Sequence, residues 1–433
     1  MDKTPKGLRL HIGIYGRRNV GKSSLLNALT SQQVAIVSPE PGTTTDPVEK
    51  PMELLPIGPV LFIDTAGIDD IGALGALRVQ RTRRTLARTD VAVLVAEAWQ
   101  WGEFEESLLA EFEASGIPAV VAFNKADLGS PPQLVVERLA ARSIPCFLVA
   151  AARGEGIEAF KKALIKALPA DWQGSVPLIG DLVPRGEAAV LVVPIDKEAP
   201  KGRLILPQVQ TIRDLLDHDA YCVVVKENEL RTALNQLRRR PAIVVTDSQV
   251  FARVAAETPR DIPLTSFSIL FARFKGDLQI FVEGALAVDQ LQPGAKILVA
   301  EACAHHPIGE DIGRVKIPRW LTEHVGGPLD FVHTQGPDFP DDLRAYSLVI
   351  HCGACTFNRR QVMSRINRCV QAGVPITNYG ILIAHSLGIL ERALSPFPVL
   401  KSGFSSLSQG SHPTPTVPMD SSVFPERAGE TLR

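Results

Sequence analysis

Short apolar runs alternate with longer amphipathic stretches over the first 170 residues of the chain. The apolar runs predict strands at residues 8–14, 60–63, 92–95, 119–123 and 146–149. The amphipathic stretches predict helices, the first of them at residues 22–29. Strands that are apolar on both faces and separated by helices are typical of a parallel sheet covered on both sides. The pattern therefore predicts an α/β domain with a mostly parallel sheet over residues 1–170.

Two smaller parallel-sheet units are predicted after a linker at residues 171–177. The first, residues 178–262, has predicted strands and helices at residues 189–193, 208–218, 221–225, 227–239 and 242–246. The second, residues 263–400, has predicted helices at 267–274, 278–290, 359–371 and 380–393 and strands at 296–300, 347–350 and 375–378. The predicted fold class is α/β with three domains. Ser, Pro, Gly and Thr dominate near the end, which predicts a disordered tail over residues 401–433.

The charge balance and the hydropathy narrow the classes of function. Lys and Arg number 46 against 47 Asp and Glu, for a formal net charge of -1. A nearly neutral chain without a basic segment gives no reason to expect nucleic acid or a membrane as a partner. The sequence has no signal-peptide core and no apolar run of about 18 residues, which predicts a cytoplasmic protein.

A phosphate-binding motif of the form GxxxxGKS runs from Gly16 to Ser23, after the first predicted strand and before the first predicted helix. Gly16 and Gly21 let backbone N–H groups approach the phosphates, and the helix N-terminus adds positive potential. Lys22 is expected to reach the β- and γ-phosphates, with Ser23 as a Mg²⁺ ligand and Ser24 beside it in the nucleotide site. The motif in this context predicts a nucleoside triphosphate site.

Two further motifs predict that the nucleotide is GTP. The segment from Asp64 to Gly67 ends a predicted strand, where Asp64 can hold the Mg²⁺ shell and the Gly67 N–H can sense the γ-phosphate. Asn124, Lys125 and Asp127 end another strand, and the Asp127 carboxylate can accept from both N1–H and the 2-amino group of guanine. Adenine offers neither donor there, so the carboxylate left without a partner rejects ATP by roughly 10⁴-fold.

These motifs resemble those of the Era and MnmE type of translation-factor-related GTPases. That group has a GTTRD switch segment where this chain has GTTTD, which makes Thr44 the implied Mg²⁺ ligand. The implied catalytic residues are Lys22, Thr44 and Gly67. Ras-like enzymes carry a catalytic glutamine where this chain has Ile68. The resemblance therefore implies slow intrinsic hydrolysis that K⁺ or a partner assists.

The same resemblance bears on a potassium site and on the guanine loop. Asn19 matches an asparagine that helps bind K⁺ beside the phosphates in potassium-activated members. The group's Ser-Ala guanine loop is Ala150-Ala151 in this chain. A backbone contact to the guanine carbonyl can persist there, but a hydroxyl that shapes the loop is absent.

Cysteine and histidine residues cluster in the last third of the chain. The set has the form CxH followed by HCxxC and consists of Cys303, His305, His351, Cys352 and Cys355. Each half follows a predicted strand of one parallel sheet, and loops at the carboxyl ends of such strands converge. Thiolates and imidazoles suit Zn²⁺ or an iron–sulfur cluster. The pattern predicts a metal site, with an iron–sulfur cluster, a structural zinc and unrelated core cysteines as the alternatives.

Three thiolates leave one iron of a cubane cluster without a cysteine ligand. His305, His351 or an exchangeable ligand can take that position, and His306 can substitute for its neighbour. An open iron is what a carrier of a second metal fragment needs. The remaining cysteines lie in apolar patterns and are predicted to be small core residues: Cys146, Cys222 and Cys369.

Behind the GTPase motifs, CxH, HCxxC and the late PITNYG segment resemble the HydF family, the GTPases that mature FeFe-hydrogenases. The resemblance covers nearly all of the chain except the tail. It implies a GTPase domain at residues 1–170, a dimerisation domain at 178–262 and an iron–sulfur cluster-binding domain at 263–400. It also implies a homodimer and a 4Fe–4S cluster whose ligands are Cys303, Cys352 and Cys355.

The family resemblance further implies a role as a scaffold and carrier. The cluster helps to hold a diiron precursor built by two radical-SAM maturases, and the precursor then passes to apo FeFe-hydrogenase. GTP governs the exchange of partners rather than the chemistry of assembly. Two alternatives are an RNA-modification or ribosome-assembly GTPase with a structural zinc and a regulatory switch without a cofactor to transfer. The nearly neutral charge gives the first alternative no support.

Overall fold

The strands of the nucleotide-motif region form one six-stranded sheet in a computed structural model. The model describes residues 4–30, 48–55, 57–65, 84–168, 177–195, 204–302 and 311–397. The chain divides into two compact units, Met1–Ser175 and Val176–Arg433. The predicted tail at residues 401–433 and nearly all of the predicted linker lie outside the described residues.

The first unit consists of a sheet with helices between its strands. Its strands are β1 Leu10–Tyr15, β2 Val48–Leu54, β3 Gly58–Asp64, β4 Val91–Glu97, β5 Ala119–Asn124 and β6 Cys146–Leu148. Its helices are a 3₁₀ turn Lys6–Leu8, α1 Lys22–Thr30, α2 Glu103–Ala114, α3 Gln133–Ala141 and α4 Ile157–Lys166. The strand order is β2-β3-β1-β4-β5-β6, and every pairing is parallel except the one between β2 and β3. The predicted α/β fold with a mostly parallel sheet is confirmed.

Alternate residues of the central strands face opposite helix layers. In β4, Val93 belongs to one core cluster together with Leu25 of α1 and Phe160 of α4. Its neighbour Leu94 belongs to the other cluster together with Phe112 of α2. Burying a side chain of this size contributes about 1.5–3 kcal/mol. The two cores fix the sheet, whose carboxyl edge carries the nucleotide motifs.

The second unit begins with a four-stranded parallel sheet. Its strands are β7 Ala188–Val192, β8 Tyr221–Val225, β9 Ile243–Thr246 and β10 Leu264–Ser266, in the order β10-β9-β7-β8. Its helices are α5 Leu206–Asp217, α6 Leu230–Gln236 and α7 Phe251–Glu257, with 3₁₀ turns at Gly180–Leu182, Glu227–Glu229 and Ser248–Val250. Because β10 pairs with β9, the predicted domain boundary at residue 262 falls inside this sheet.

A third parallel sheet follows within the same unit. Its strands are β11 Lys296–Glu301, β12 Asp330–Gln335, β13 Leu348–His351 and β14 Ile376–Asn378, in the order β12-β11-β13-β14. Its helices are α8 Phe267–Lys275, α9 Leu278–Leu286, α10 Ile317–Val325, α11 Arg359–Ala372, α12 Tyr379–Ser386 and α13 Leu390–Leu394. A 3₁₀ turn Ala287–Gln290 and a π-helical turn Ile312–Lys316 complete it. The largest hydrophobic core takes residues from both small sheets, so these sheets share one compact unit.

The end of the described chain differs from its prediction. The single helix predicted at residues 380–393 is two helices, α12 and α13. Gly388 between them has a φ of 66°, a left-handed conformation that glycine adopts without strain and that ends a helix. Within the described ranges, no helix has both the length and the apolar character needed to cross a bilayer.

Candidate functional site

The phosphate-binding loop connects β1 to α1, and two of its glycines leave no room for a side chain. A Cβ on Gly16, whose φ is 148°, would lie 2.2 Å from the Val95 carbonyl oxygen. A Cβ on Gly21, whose φ is 90°, would lie 2.2 Å from Nδ2 of Asn124. Asn19 has a φ of 62°, which asparagine tolerates better than most residues. The sequence therefore specifies the loop path through residues that accept positive φ.

The Lys22 ammonium lies inside this loop. Lys22 is 8% exposed, and its Nζ donates to the carbonyl oxygens of Gly16 at 3.0 Å and Arg17 at 2.6 Å. Arg17 in turn makes a bidentate contact with Glu105, with Nε–Oε1 at 2.6 Å and Nη2–Oε2 at 3.0 Å. Glu105 is 1% exposed at the start of α2. The sequence motifs give no indication of Glu105, because it lies 88 residues from the arginine it fixes.

The structure brings together Ser23 and Asp64, the two described residues that the sequence assigns to the Mg²⁺ site. The Ser23 hydroxyl donates to Oδ2 of Asp64 at 2.7 Å. Asp64 is 5% exposed, and burial raises the pKa of its carboxyl despite the Ser23 hydrogen bond and the Lys22 charge. Its buried Oδ1 has no hydrogen-bond partner among the residues that the structure describes. Mg²⁺ prefers hard oxygen ligands such as the Ser23 hydroxyl and the Asp64 carboxylate. A Mg²⁺ ion would also satisfy the buried Oδ1 of Asp64.

Asn124 ties the phosphate-binding loop to the loop at residues 150–151. It is 3% exposed, its Nδ2 donates to the Val20 carbonyl oxygen at 2.8 Å, and its Oδ1 accepts from the Ala151 N–H at 3.0 Å. Ala150 forms a bridge with Glu155 that closes the second loop. In this loop, which is expected to make a backbone contact with guanine, the Ala151 N–H is thus hydrogen-bonded to Asn124.

In the motif that begins at Asn124, Lys125 and Asp127 each make an ion pair at the same edge of the sheet. Lys125 has a φ of 59° and pairs with Glu97. Asp127 pairs with Arg153 through an Nε–Oδ2 contact of 3.2 Å. Ser24 lies in the first turn of α1. Five residues assigned from the sequence lie outside the described residues, namely Thr44, Gly67, Cys303, His305 and His306.

The second candidate site lies at the carboxyl ends of β11 and β13. The N–H of Ala302, the residue before Cys303, donates to Sγ of Cys352 at 3.1 Å. The Ala354 N–H donates to the same sulfur at 3.4 Å. The Cys352 N–H donates to the Ala300 carbonyl oxygen at 3.1 Å, so the two chain segments lie side by side. Burial raises the pKa of the Cys352 thiol, although both N–H groups oppose that effect.

His351 is held by two partners in the protein. It is 1% exposed, with Nδ1 lying 2.8 Å from the Cys352 carbonyl oxygen and Nε2 lying 3.0 Å from Nη1 of Arg365. Since a guanidinium only donates, Nε2 accepts and the ring proton sits on Nδ1. Burial and the Arg365 charge lower the pKa of His351 to about 3. Arg365 is itself stacked on Phe339 and Phe357, with its Cζ 4.8 and 4.6 Å from the ring centroids.

Lys275, the last residue of α8, holds the loop that carries Cys352 and Cys355. It is 2% exposed, and its Nζ donates to the carbonyl oxygens of Ala354 at 2.9 Å, Cys355 at 3.1 Å and Phe357 at 2.7 Å. Burial lowers the pKa of Lys275 to about 8, opposed by the two nearby cysteines. Sequence reasoning missed this residue, although a lysine that ends an apolar helix was a usable signal.

A buried phenol lies at the same edge of the third sheet. The Tyr379 hydroxyl has no hydrogen-bond partner within the described part of the chain. A Cβ on Gly313 would lie 2.0 Å from this oxygen, so the phenol needs a glycine opposite it. Burial raises the pKa of Tyr379, and Cys352 and Glu301 add to the effect.

The described residues contain no group of three or more His, Cys, Asp or Glu side chains arranged to hold a metal ion. Of the five residues in the predicted metal set, only His351, Cys352 and Cys355 are described. The cysteines predicted to be core residues differ in burial. Cys369 is fully buried, whereas Cys146 and Cys222 are partly buried, and burial raises the pKa of all three thiols.

Family models match three stretches of the chain. A model described as a 50S ribosome-binding GTPase matches residues 11–125. A hydrogen maturase F dimerization domain matches residues 178–276, and a hydrogen maturase F tetramerization domain matches residues 279–396. The two maturase models together cover about half of the chain.

Curated relatives match somewhat more than a third of the chain. The tRNA modification GTPase MnmE of Synechococcus sp. is 36% identical over 172 residues, which cover 39% of this chain and 36% of that protein. GTPase Der of Wolinella succinogenes is 32% identical over 176 residues, which cover 38% of this chain and 37% of that protein. The chain therefore spans little more than a third of the length of these relatives.

Solved structures are similar to a comparable share of this chain. A variant of Era from Aquifex aeolicus, solved with GDP and AlF4⁻, is 28% identical and matches 37% of this chain and 56% of that chain, with a TM-score of 0.33. The G domain of the T. maritima iron transporter FeoB is 25% identical and matches 37% of this chain and 98% of that chain, with a TM-score of 0.29.

Proposed function

Because the chain belongs to the hydrogen maturase F family, we propose that it hydrolyses GTP and serves as scaffold and carrier of an iron–sulfur cofactor in hydrogenase maturation. The observation that carries this proposal is a GTPase domain on the same chain as two maturase-specific domains. A GTPase domain alone would not indicate a hydrogenase partner.

In the proposed GTPase reaction, Lys22 stabilises phosphoryl charge. Its ammonium is hydrogen-bonded to two loop carbonyls at the N-terminus of α1, and phosphate oxygens are stronger acceptors than carbonyls. Ser23 and Asp64 are proposed to hold Mg²⁺, which supplies positive charge to the β- and γ-phosphates. Thr44 and Gly67 are proposed to close on the γ-phosphate, and Asn19 to help bind K⁺.

Selection of guanine is proposed to depend on Asp127. Its carboxylate pairs with Arg153, whose side chain is 59% exposed. Exposed ion pairs contribute about 0–1 kcal/mol to stability. The two N–H donors of guanine can therefore displace Arg153 from the Asp127 carboxylate at little cost. Asn124 contributes by holding the loop of Ala150 and Ala151 against the phosphate-binding loop.

The cysteine loop is proposed to hold a 4Fe–4S cluster through Cys303, Cys352 and Cys355. Two backbone N–H groups point at Cys352 Sγ, and such hydrogen bonds to sulfur stabilise a thiolate ligand. A bound cluster supplies an iron with an open position for a diiron precursor. Both ring nitrogens of His351 are engaged, so we assign the fourth position to His305, His306 or an exchangeable ligand.

We also propose a homodimer that exchanges apo FeFe-hydrogenase and two radical-SAM maturases as partners. Strand β8 is an edge of the second sheet, and its residues Tyr221 and Val224 are 52% and 43% exposed. An apolar edge strand is a template for pairing with another chain. This edge supports self-association through the region that the dimerization model matches.

Variants that separate the two sites test the proposal. Lys22→Ala is expected to lose GTP binding while anaerobically reconstituted protein keeps its iron. Cys352→Ala is expected to lose most iron, sulfide and EPR signal while GTP hydrolysis continues. Cys369→Ala is the matched control, because that thiol is fully buried in the core. A colourless wild-type protein, or unchanged iron in Cys352→Ala, would contradict the cluster assignment.

A rival function is an RNA-modification GTPase with a structural zinc. The observation in its favour is the 36% identity to a tRNA modification GTPase over 172 residues. That identity concerns 39% of this chain, and the maturase models match most of the remainder. One zinc per chain, without charge-transfer absorption, would favour the rival.

A further inference from the structure

Lys275 places a positive charge beneath the cysteine loop. Its side chain is 2% exposed, and its three ammonium protons can each be matched to one carbonyl oxygen of the loop, those of Ala354, Cys355 and Phe357. The ring centroid of Phe271 lies 5.5 Å from Nζ. These contacts therefore satisfy all three hydrogen-bond donors of Lys275, but they do not neutralise its positive charge.

Within the described ranges, no carboxylate forms an ion pair with Lys275. Burying an ammonium without a counter-ion costs several kcal/mol even when it is well hydrogen-bonded. The groups nearby that metal binding would convert to anions are the Cys352 and Cys355 thiols, which lie on the loop that Lys275 holds. A buried positive charge next to this loop is suited to an anionic group that Cys352 and Cys355 bind as thiolates.

We propose that Lys275 is a positioning residue of the cysteine site, which holds the loop 352–357 in ligand geometry and balances the negative charge of a thiolate-bound iron–sulfur cluster. The inference rests on the proposed cluster and adds the residue that tunes it. One electron from an added low-potential reductant increases the cluster's negative charge by one unit, with no bond formed or broken. A nearby buried cation therefore favours the reduced form.

Three substitutions separate charge from hydrogen bonding. Lys275→Met keeps a stem of similar length and removes both, Lys275→Gln keeps a donor without charge, and Lys275→Arg keeps the charge. The exposed Lys226, whose side chain is 47% exposed, gives the control Lys226→Met. Each protein is reconstituted anaerobically with ferrous iron and sulfide. The reduction potential of its cluster is then measured by a redox titration with EPR detection.

We expect Lys275→Met and Lys275→Gln to shift the reduction equilibrium at least tenfold toward the oxidised cluster, about 59 mV for a one-electron couple. Lys275→Arg and Lys226→Met should keep the wild-type potential. Lys275→Met should also hold less iron per chain than Lys275→Gln, because it cannot donate to the loop. GTP hydrolysis should be unchanged in all variants, and thermal unfolding of each variant reports whether the second unit, which carries Lys275, is folded.

A wild-type potential in both neutral variants would overturn this inference alone. Loss of fold in every Lys275 variant would also overturn it, since the lysine would then be a purely structural residue. Absence of any cluster in the wild-type protein would overturn the proposed function and the inference with it. The wild-type iron content therefore distinguishes the two failures.

Discussion

Arg365 donates a hydrogen bond to Nε2 of His351 over 3.0 Å, and this contact orients the histidine ring beside the cysteine loop. The opposite nitrogen lies 2.8 Å from the Cys352 carbonyl oxygen. The ring thus links α11 to the end of β13 and holds Cys352, the first cysteine of the HCxxC loop. A histidine that already has both nitrogens engaged is better suited to orienting the loop than to binding metal.

Replacing His351 by glutamine tests this orienting role. A glutamine amide can accept from Arg365 and donate to the Cys352 carbonyl, so His351→Gln is expected to keep iron at the wild-type level after anaerobic reconstitution. His351→Ala removes both contacts and should reduce iron retention. Iron and sulfide analysis of both variants checks this, and loss of iron in His351→Gln would instead identify the imidazole as a ligand.

Gly21→Ala is expected to abolish GTP and GDP binding without unfolding the protein. The added Cβ would lie 2.2 Å from Nδ2 of Asn124, at a φ of 90° that costs an L-residue about 1–2 kcal/mol. Gly116→Ala is the matched control, since Gly116 has a φ of 58° but nothing within 4 Å of its Cβ position. Calorimetric titration with GDP distinguishes the two, and tight binding to Gly21→Ala would refute the loop geometry.

Stability of the first unit is expected to fall as the pH drops below about 6.5. His11 is fully buried in β1, and burial together with the Arg88 and Lys6 charges lowers its pKa to about 4. The unfolded state binds more protons between these pKa values, so acid favours unfolding over that window. At about pH 5 the loss from this residue is about 2 kcal/mol.

Denaturant titrations of wild-type protein and His11→Gln at several pH values measure this effect. The difference between the two proteins isolates His11, whose ring nitrogens lie 3.1 Å from the Arg88 carbonyl oxygen and 3.0 Å from that of Lys6. The Asp90 carboxylate, which accepts from the His11 N–H, is present in both proteins. Parallel pH profiles for the two proteins would show that His11 does not titrate as expected.

The sequence predicts the elements whose signals are local. The path from β1 through the phosphate-binding loop to α1 follows from an apolar run, two glycines and an amphipathic helix. Strand β2 has no such signal, because its sequence VEKPMEL is polar, contains Pro51 and pairs antiparallel at the sheet edge. Strand β12 is half-buried at the edge of the third sheet, and its sequence DFVHTQ contains too short an apolar run to predict a strand.

Contacts between distant residues account for what sequence reasoning missed at the cysteine site. Lys275 and the Ala354 carbonyl that it binds are 79 residues apart, and Arg365 reaches back 29 residues to the Gly336 carbonyl. The spacing of residues within a motif does not indicate partners that lie so far away in the sequence. The CxH and HCxxC motifs predict which residues bind metal, whereas the tertiary fold decides which residues hold the loop that carries Cys352 and Cys355.

Val224→Lys is expected to weaken self-association. Val224 is 43% exposed on the edge strand β8, and a charged residue at such an edge opposes pairing with another chain. Leu134→Lys is the control, because Leu134 is 73% exposed on α3 of the first unit. Sedimentation velocity over a range of concentrations measures the dimer fraction. Equal dimer fractions in the two variants would exclude β8 as the interface.

The Tyr379 hydroxyl is the last feature that yields a prediction. It is buried without a hydrogen-bond partner among the described residues, and a buried hydroxyl in that condition costs about 1–3 kcal/mol. Tyr379→Phe is therefore expected to stabilise the metal-free protein by about 1 kcal/mol, a rise in Tm of roughly 2–4 °C for a unit of this size.

Tyr15→Phe supplies the matched control for that stabilisation. The Tyr15 hydroxyl is also buried, but it lies 2.7 Å from the Thr89 hydroxyl, so its removal should destabilise the protein by about 1 kcal/mol. Thermal unfolding of the three metal-free proteins gives the comparison. Opposite signs for the two variants support a hydroxyl kept for a ligand rather than for the fold. Destabilisation by Tyr379→Phe of the same size as by Tyr15→Phe would mean that the Tyr379 hydroxyl stabilises the fold and would contradict the prediction.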